Sequence, residues 1–496
     1  MDAPVPLIVV ALLAAAGLVA PTARGRAAAM VGALLLTPVL LVAHLWDNSA
    51  IHSLRDRPAV AAAAVVAGLA AVAALAVLFH RRPVLFPLAA VAMVPFRIPI
   101  ATGGSTANLL VPLYLVLGAG VLAHAVPRLR SDEVPDEPGP GWLERVLAAA
   151  VVLYAVQATY SSDFAHALEN VVFFYVPFTL LFTLLRRVAW TDRLAAQCLG
   201  ILAALALVFV GIGFVEYATR SLLLNPKVIS SNQFESYFRV NSLFFDPNIY
   251  GRFLALVMVG IAGVVLWARR REVLLGGAAL LAVLWAGLVL TFSQSSFVAL
   301  LAGLAILGAL RWSVRGAAAL SAAAAIVAVA IVVLAPGAIR LDVGNSKSAD
   351  AATSGRYDLI KGGVDLFTAQ PLEGQGSGSF AREYRRTRHS SDQRAASASH
   401  TIPVTVAAEQ GVVGLALYLA LVGLALWRLL RGASRRLARA VVAAAFVALL
   451  VHTLTYAAFL EDPLTWVLLG AGAALAAAEP PRRRVRPEPD AAAVAV

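Results

Sequence analysis

A chain of 496 residues that is 60% hydrophobic and only 14% charged, with a mean hydropathy of +0.81, has too little polar surface for a set of soluble domains. Its apolar runs of about 17–25 residues lack the two-residue alternation of a membrane barrel, and backbone groups in hydrocarbon must be satisfied within the element. The net charge of +12 comes as short arginine clusters between apolar runs rather than along one face, which fits a positive-inside bias and excludes nucleic acid as a partner. The fold class that follows is all-α: a polytopic transmembrane helical bundle of about 12–15 spans with one large, partly helical extracytoplasmic loop.

In chain order, residues 1–217 carry N-terminal spans expected near 5–20, 27–46, 59–79, 83–100, 107–126, 142–162, 167–185 and 194–217. The first run has no charged leader and no small-residue cleavage site, so it reads as a retained span. The run 83–100 holds Pro87, Pro95, Arg97 and Pro99 and is expected to be broken or re-entrant. Cys198, the single cysteine, lies in an apolar run and reads as a packing residue. Residues 218–335 comprise a short polar segment, 218–247, and central spans near 248–267, 273–291, 294–310 and 316–335. Residues 336–402 form the large polar loop, 403–478 the C-terminal spans near 403–427, 438–458 and 463–478, and 479–496 a Pro- and Arg-rich tail expected to be disordered. The arginine clusters fall on alternate loops. That parity puts the C-terminus in the cytoplasm and the segments 218–247 and 336–402 on the outer face of a cytoplasmic (inner) membrane.

The large loop carries seven acids and nine Lys/Arg, and long loops in so apolar a chain tend to be functional. After Ser354, a good N-cap, Leu359, Ile360, Gly363, Val364 and Phe367 share one helical face before Pro371 ends the run. The glycine-rich turn Gly374 to Gly378 lacks the Lys-Ser/Thr ending of a P-loop and reads as a tight turn or a phosphate-contacting nest. Arg382, Arg385, Arg386, Arg388 and Arg394 follow, as a solvated or lipid-headgroup face.

His400 immediately precedes an apolar helix, and its unperturbed pKa of about 6.5 suits a general base acting on a hydroxyl. Glu409, nine residues on, lies two and a half turns into that helix, too deep to reach His400 unless the first turn unwinds, and is expected to pair with an arginine inside the bundle. Arg239 and Arg356 sit in the two outer segments, where each can offer a planar fork to phosphate. Asp246-Pro247-Asn248 reads as a capped helix start. Glu144, Glu169 and Glu216 lie near span ends, where a structural role is expected, while His452 is intramembrane. There is no HExxH pair and no DxD cluster, so neither metal nor nucleotide cofactor is expected.

Together these residues resemble a known family. Gly355-Arg356-Tyr-Asp-Leu-Ile-Lys, then Pro371-Leu-Glu-Gly374-Gln-Gly376-Ser-Gly378-Ser-Phe380, then His400, Glu409, Gly411 and Gly414 are similar to the large outer loop of the O-antigen ligase and O-antigen polymerase superfamily. The block from Arg239 to Gly251 is similar to that family's upstream Arg and Pro-Asn segment. The resemblance covers about 235–425. It implies a membrane glycosyltransferase that moves a glycan from a polyprenyl (undecaprenyl) diphosphate donor to an acceptor hydroxyl on a glycan, lipid or protein, without metal or nucleotide. It implies that His400, Arg356 and Arg239 are catalytic, with His400 serving the acceptor and the arginines the diphosphate. Glu409, Gln294, Gly376 and Gly378 are the expected substrate-binding positions. Three positions depart from the family: Gln294 stands where arginine is common, Thr401 where asparagine is frequent, and Val404 where leucine is usual. A flippase of lipid-linked glycans would show internal repeats and mid-span charges, neither of which is prominent here; a non-catalytic partner of an envelope-assembly complex would not need His400.

Overall fold

The structure, a computed structural model, describes residues 4–44, 46, 56–102, 105–130, 139–223, 238–316, 356–388, 401–456 and 458–478. His400, Ser354, Arg394 and almost all of the span expected at 316–335 lie outside the described residues.

Helices follow from the apolar runs, and their starts from short polar side chains. In order they are α1 (Pro4–Val19), α2 (Ala23–His44), α3 (Pro58–Arg81), α4 (Leu85–Met93), α5 (Val111–Arg130), α6 (Trp142–Gln157), α7 (Phe164–Asn170), α8 (Val176–Leu185), α9 (Asp192–Thr219), α10 (Pro247–Trp267), α11 (Arg271–Leu290), α12 (Gln294–Arg311), α13 (Arg356–Ala369), α14 (Phe380–Arg388), α15 (Ile402–Leu430), α16 (Leu437–Thr453) and α17 (Pro463–Ala477). Among the described residues ten helices are long and apolar enough to cross a membrane, and α1, α16 and α17 are shorter apolar helices. The protein is an all-α polytopic membrane protein. Thr191, Asp246 and Asp462 cap α9, α10 and α17, accepting N–H bonds of 3.1, 2.6 and 2.8 Å. Proline opens α10 and α17, where its missing N–H costs nothing.

The expected span at 83–100 is broken. α4 has nine residues, and a hairpin follows in which β1 (Ile98–Thr102) pairs antiparallel with β2 (Ser105–Leu109), from Ile98 opposite Leu109 to Thr102 opposite Ser105. Pro95 and Pro99 cannot donate to a helix ladder, so the chain leaves it there. Between α7 and α8, Val171–Tyr175 winds as a π turn, and the Tyr114 hydroxyl donates to the Phe173 carbonyl at 2.8 Å.

Two apolar cores form. One gathers α1 to α8, α15 and α17; the other gathers α10 to α12; α9 and α16 contribute to both. The small side chains of Ala440, Ala444, Ala445 and Ala448 let α16 approach its neighbours closely. We call the end of the bundle carrying α13 and α14 the loop end, and the opposite end, with Arg186, Arg311 and Arg428–Arg439, the arginine end. At the arginine end, Arg186 Nε lies 3.0 Å from the fully buried Glu144 carboxylate. Near the loop end Glu216 accepts backbone N–H bonds from Leu223, Asn241 and Ser242 at 3.1, 3.2 and 2.7 Å, pinning the 238–246 segment to α9.

The buried face of α13 is Leu359, Gly362, Gly363 and Leu366; Ile360 and Val364, expected on it, are exposed. Gly362 explains the rotation: a Cβ there would collide with the Tyr384 ring of α14, so the ring seats on the glycine and turns that side inward. Leu359, Leu366, Phe380, Tyr384 and Ala408 close a small third core.

Burial separates two ion pairs at the arginine end. Glu144→Ala removes the carboxylate of a buried pair and is expected to cost about 3–5 kcal/mol. Asp192→Ala, which breaks an exposed pair with Arg436, is expected to cost under about 1 kcal/mol. Thermal unfolding in detergent should show a clear loss for the first and little for the second.

Candidate active site at the loop end

Within α15 the backbone at Gly411 leaves the helical region, with φ 64° and ψ −163°. The break frees backbone groups on both sides, and the Pro371–Phe380 segment satisfies them. Gln375 N–H donates to the Ala408 carbonyl at 3.0 Å, Gly376 N–H to the Glu409 carbonyl at 2.9 Å, and Val412 N–H to the Pro371 carbonyl at 2.8 Å. The Gln157 amide, from α6, donates to the carbonyls of both Gln410 and Glu373 at 3.2 Å, and the Tyr160 hydroxyl donates to Glu373 at 2.8 Å.

The Glu409 side chain completes the clamp. Its two oxygens accept the N–H groups of Gly378 at 2.9 Å and Phe380 at 3.1 Å, at the start of α14, where a helix N-terminus favours an anion. Glycine is required at two points. A Cβ on Gly411 would run into the Leu372 carbonyl, and one on Gly376, at φ 95°, would run into the Ser161 backbone.

This arrangement corrects the reading of three residues. The N–H groups of Gly376 and Gly378 donate inside the protein, so the turn is not an open nest for phosphate. Glu409 pairs with backbone donors rather than with an arginine. All three build the scaffold.

The other expected residues lie elsewhere on the loop end. Arg239 Nε donates to the Thr291 carbonyl at 3.0 Å and its terminal nitrogen to the Asn248 side-chain oxygen at 3.3 Å. Gln294 opens α12, exposed, three residues after Thr291. Arg239 and Gln294 thus sit at one junction, while Gly376, Gly378 and Glu409 form another. Arg356 is the first residue of α13.

Between these groups runs a polar network that sequence reading did not assemble. The Ser296 hydroxyl lies 3.5 Å from the Asn248 carbonyl, and the buried Ser295 and Ser296 lie 3.1 and 3.3 Å from Nε2 of the buried His452. The His452 ring centroid is 5.7 Å from that of Tyr456, over which stands the Arg252 guanidinium, 5.8 Å from the ring centroid. Arg252 is ion-paired with Asp462, both nearly inaccessible. One residue before Asp462, Glu461 accepts a bond from the Tyr175 hydroxyl at 3.2 Å, and burial pushes its carboxyl above the usual carboxylate range. Glu461 and Glu409 line one small cavity of about 60 Å³ with Tyr154 and Tyr175, so the 458–462 turn joins the network to the clamp. A signal was present: Arg252 is a lone charge one turn into an apolar run, and Asp462-Pro463 repeats the Asp246-Pro247 helix start.

The fold and site define a polytopic helical membrane protein with a constructed polar site at one end of the bundle. Residues 278–419 match the model of a family described as O-antigen ligase, and over that segment the chain is similar to that family. The matched segment includes Gln294, Arg356, the glycine turn, His400 and Glu409, and leaves out Arg239, Arg252 and Asp462. No curated protein matches the chain.

Two substitutions test the clamp. Glu409→Ala strands two backbone donors and should cost on the order of 1–3 kcal/mol for each, whereas Glu409→Gln, which keeps one acceptor, should cost less. Gly411→Ala should fail to give monodisperse protein on size-exclusion chromatography, and a well-folded Gly411→Ala protein of unchanged stability would refute the account of the break.

Proposed function

We propose that the protein is a glycan ligase or polymerase that transfers a sugar chain from a polyprenyl diphosphate donor to an acceptor hydroxyl. The observation that carries this reading is the O-antigen ligase match over 278–419, the segment that holds both the glycine clamp and the start of α15. A polyprenyl diphosphate leaves with its negative charge on phosphate, so fixed guanidiniums stabilise the departing group as the bond from sugar C1 to phosphate oxygen breaks. Arg239 and Arg356 take that role. His400 accepts the proton of the acceptor hydroxyl as the new glycosidic bond forms, and the imidazolium later returns it to solvent. Guanidinium charge makes a metal unnecessary, and the site lies on the extracytoplasmic face of the cytoplasmic membrane, with the C-terminus in the cytoplasm, as the alternating arginine clusters support. Gln294, at the junction with Arg239, reaches the donor as a neutral hydrogen-bonding group where relatives of this superfamily commonly carry a cation.

The direct test is transfer of a polyprenyl-diphosphate-linked oligosaccharide to candidate acceptors by purified protein in detergent containing EDTA. Wild type should turn over, and His400→Ala should lose about 10²–10⁴-fold of the rate. Equal rates for both proteins would remove His400 from the mechanism and leave the reaction class standing. Arg356→Lys, which keeps the charge and loses the fork, should fall by at least tenfold; an unchanged rate would take Arg356 out of the site.

A further inference from the structure

The turn between α11 and α12 is strained. Phe292 has φ 49°, in the left-handed region that residues with a β-carbon seldom enter, and such a conformation persists only where its surroundings impose it. The same turn carries the Arg239 segment. Val240 N–H donates to the Leu290 carbonyl at 3.2 Å, and Arg239 Nε to the Thr291 carbonyl at 3.0 Å. The direction of the arginine fork therefore follows the two carbonyls that lead into Phe292.

A closed group of hydroxyls on the other side of Phe292 imposes the turn. Thr291 Oγ1 accepts the Ser293 N–H at 3.2 Å, and Ser293 Oγ lies 2.8 Å from Ser296 Oγ and 3.1 Å from Ser295 Oγ. Ser295 and Ser296 in turn lie 3.1 and 3.3 Å from Nε2 of His452, on α16. All of these side chains are buried. Gly251 of α10 makes the room, since a Cβ there would collide with the Ser296 hydroxyl.

Elsewhere α16 joins the core of α10 and α12 through Ala440, Ala444, Ala448 and Leu449, and apolar packing of that kind could have closed position 452 as well. A buried imidazole and three buried hydroxyls cost desolvation that apolar side chains do not. What they add is direction, because a satisfied buried network fixes one arrangement where apolar contact permits several.

We propose that His452 is a positioning residue for Arg239: through Ser295, Ser296 and Ser293 it holds the strained 291–293 turn, and the turn aims the guanidinium. The role rests on the donor-binding function proposed for Arg239 above and adds a fully buried residue of α16 to that site.

Two measurements test it. The first reads the turn without turnover, by fluorine NMR of trifluoromethyl-phenylalanine at position 292, where the side chain is exposed. His452→Leu should move or split the signal. His452→Gln, whose amide nitrogen can stand where Nε2 does, should restore it, and the shorter His452→Asn should not. The second is a double-mutant cycle on glycan transfer. His452→Leu should lower kcat/KM for the donor by about tenfold or more and leave the acceptor KM within about twofold. In an Arg239→Lys background the same change should cost less than about twofold, because a residue that acts through a guanidinium has none left to aim. Thermal unfolding checks each variant. Should His452→Leu misfold, alanine at 293, 295 and 296 combined with His452→Leu removes the polar partners together, and this variant should unfold close to wild type and still lose donor kcat/KM. An unmoved signal at position 292 in a folded variant, or a full additive loss in the Arg239→Lys background, would overturn the proposal. A wild type that transfers nothing defeats the transferase reading alone, and the fluorine signal still decides whether His452 holds the turn.

Discussion

At Gly411 a continuous transmembrane helix would have supplied partners for the carbonyls of Ala408, Glu409 and Gln410; the left-handed backbone there removes them, and in an apolar bundle each lost bond must be replaced. The Pro371–Phe380 segment and Gln157 replace them, so α6, α15 and the loop segment fold as one unit. The dependence is mutual. The loop turn needs the exposed carbonyls for its own N–H groups, and the break needs the turn. A glycine at 411 and one at 376 make the approach of two backbones possible, which is why this part of the chain could not be built from ordinary helix residues.

The acids and bases of the loop end have different work. Glu216 and Glu409 spend their oxygens on backbone N–H groups, and Asp462 divides its between a helix cap and Arg252. Carboxylates are thereby the fixed joints of the structure. The guanidiniums gather around the same polar centre: Arg97 and Arg252 share the field of Asp462, and Arg239 donates to the neutral oxygens of Thr291 and Asn248.

Much of the fold was legible because hydrocarbon leaves so few choices. Long apolar runs had to be helices, and proline at 95 and 99 marked one run that breaks. The α13 face was misread by about one position because periodicity ranks Ile360 and Val364 above Gly362 as buried residues; what decided it was a ring from a distant helix, Tyr384, seeking a glycine to sit on. The site was legible only in part. Glu409 was recognised as a buried acid, but nothing local says that its partners are amides some thirty residues earlier in the chain. The network through Asn248, Ser296, His452, Tyr456, Arg252 and Asp462 draws on α10, α12, α16 and the turn before α17, so no single motif could show it.

The break also sets the direction of what precedes it. Pro403, in the first turn, and Thr401, extended at φ −139° and ψ 122°, fix where α15 begins, and Ile402 and Thr405 line the same cavity as Glu409, Tyr154, Tyr175 and Glu461. The first two turns of α15 are therefore held from both sides, by the cavity wall and by the clamp. A substitution at the break would then loosen the start of α15, and with it the cavity wall that Ile402 and Thr405 supply, from about two turns away.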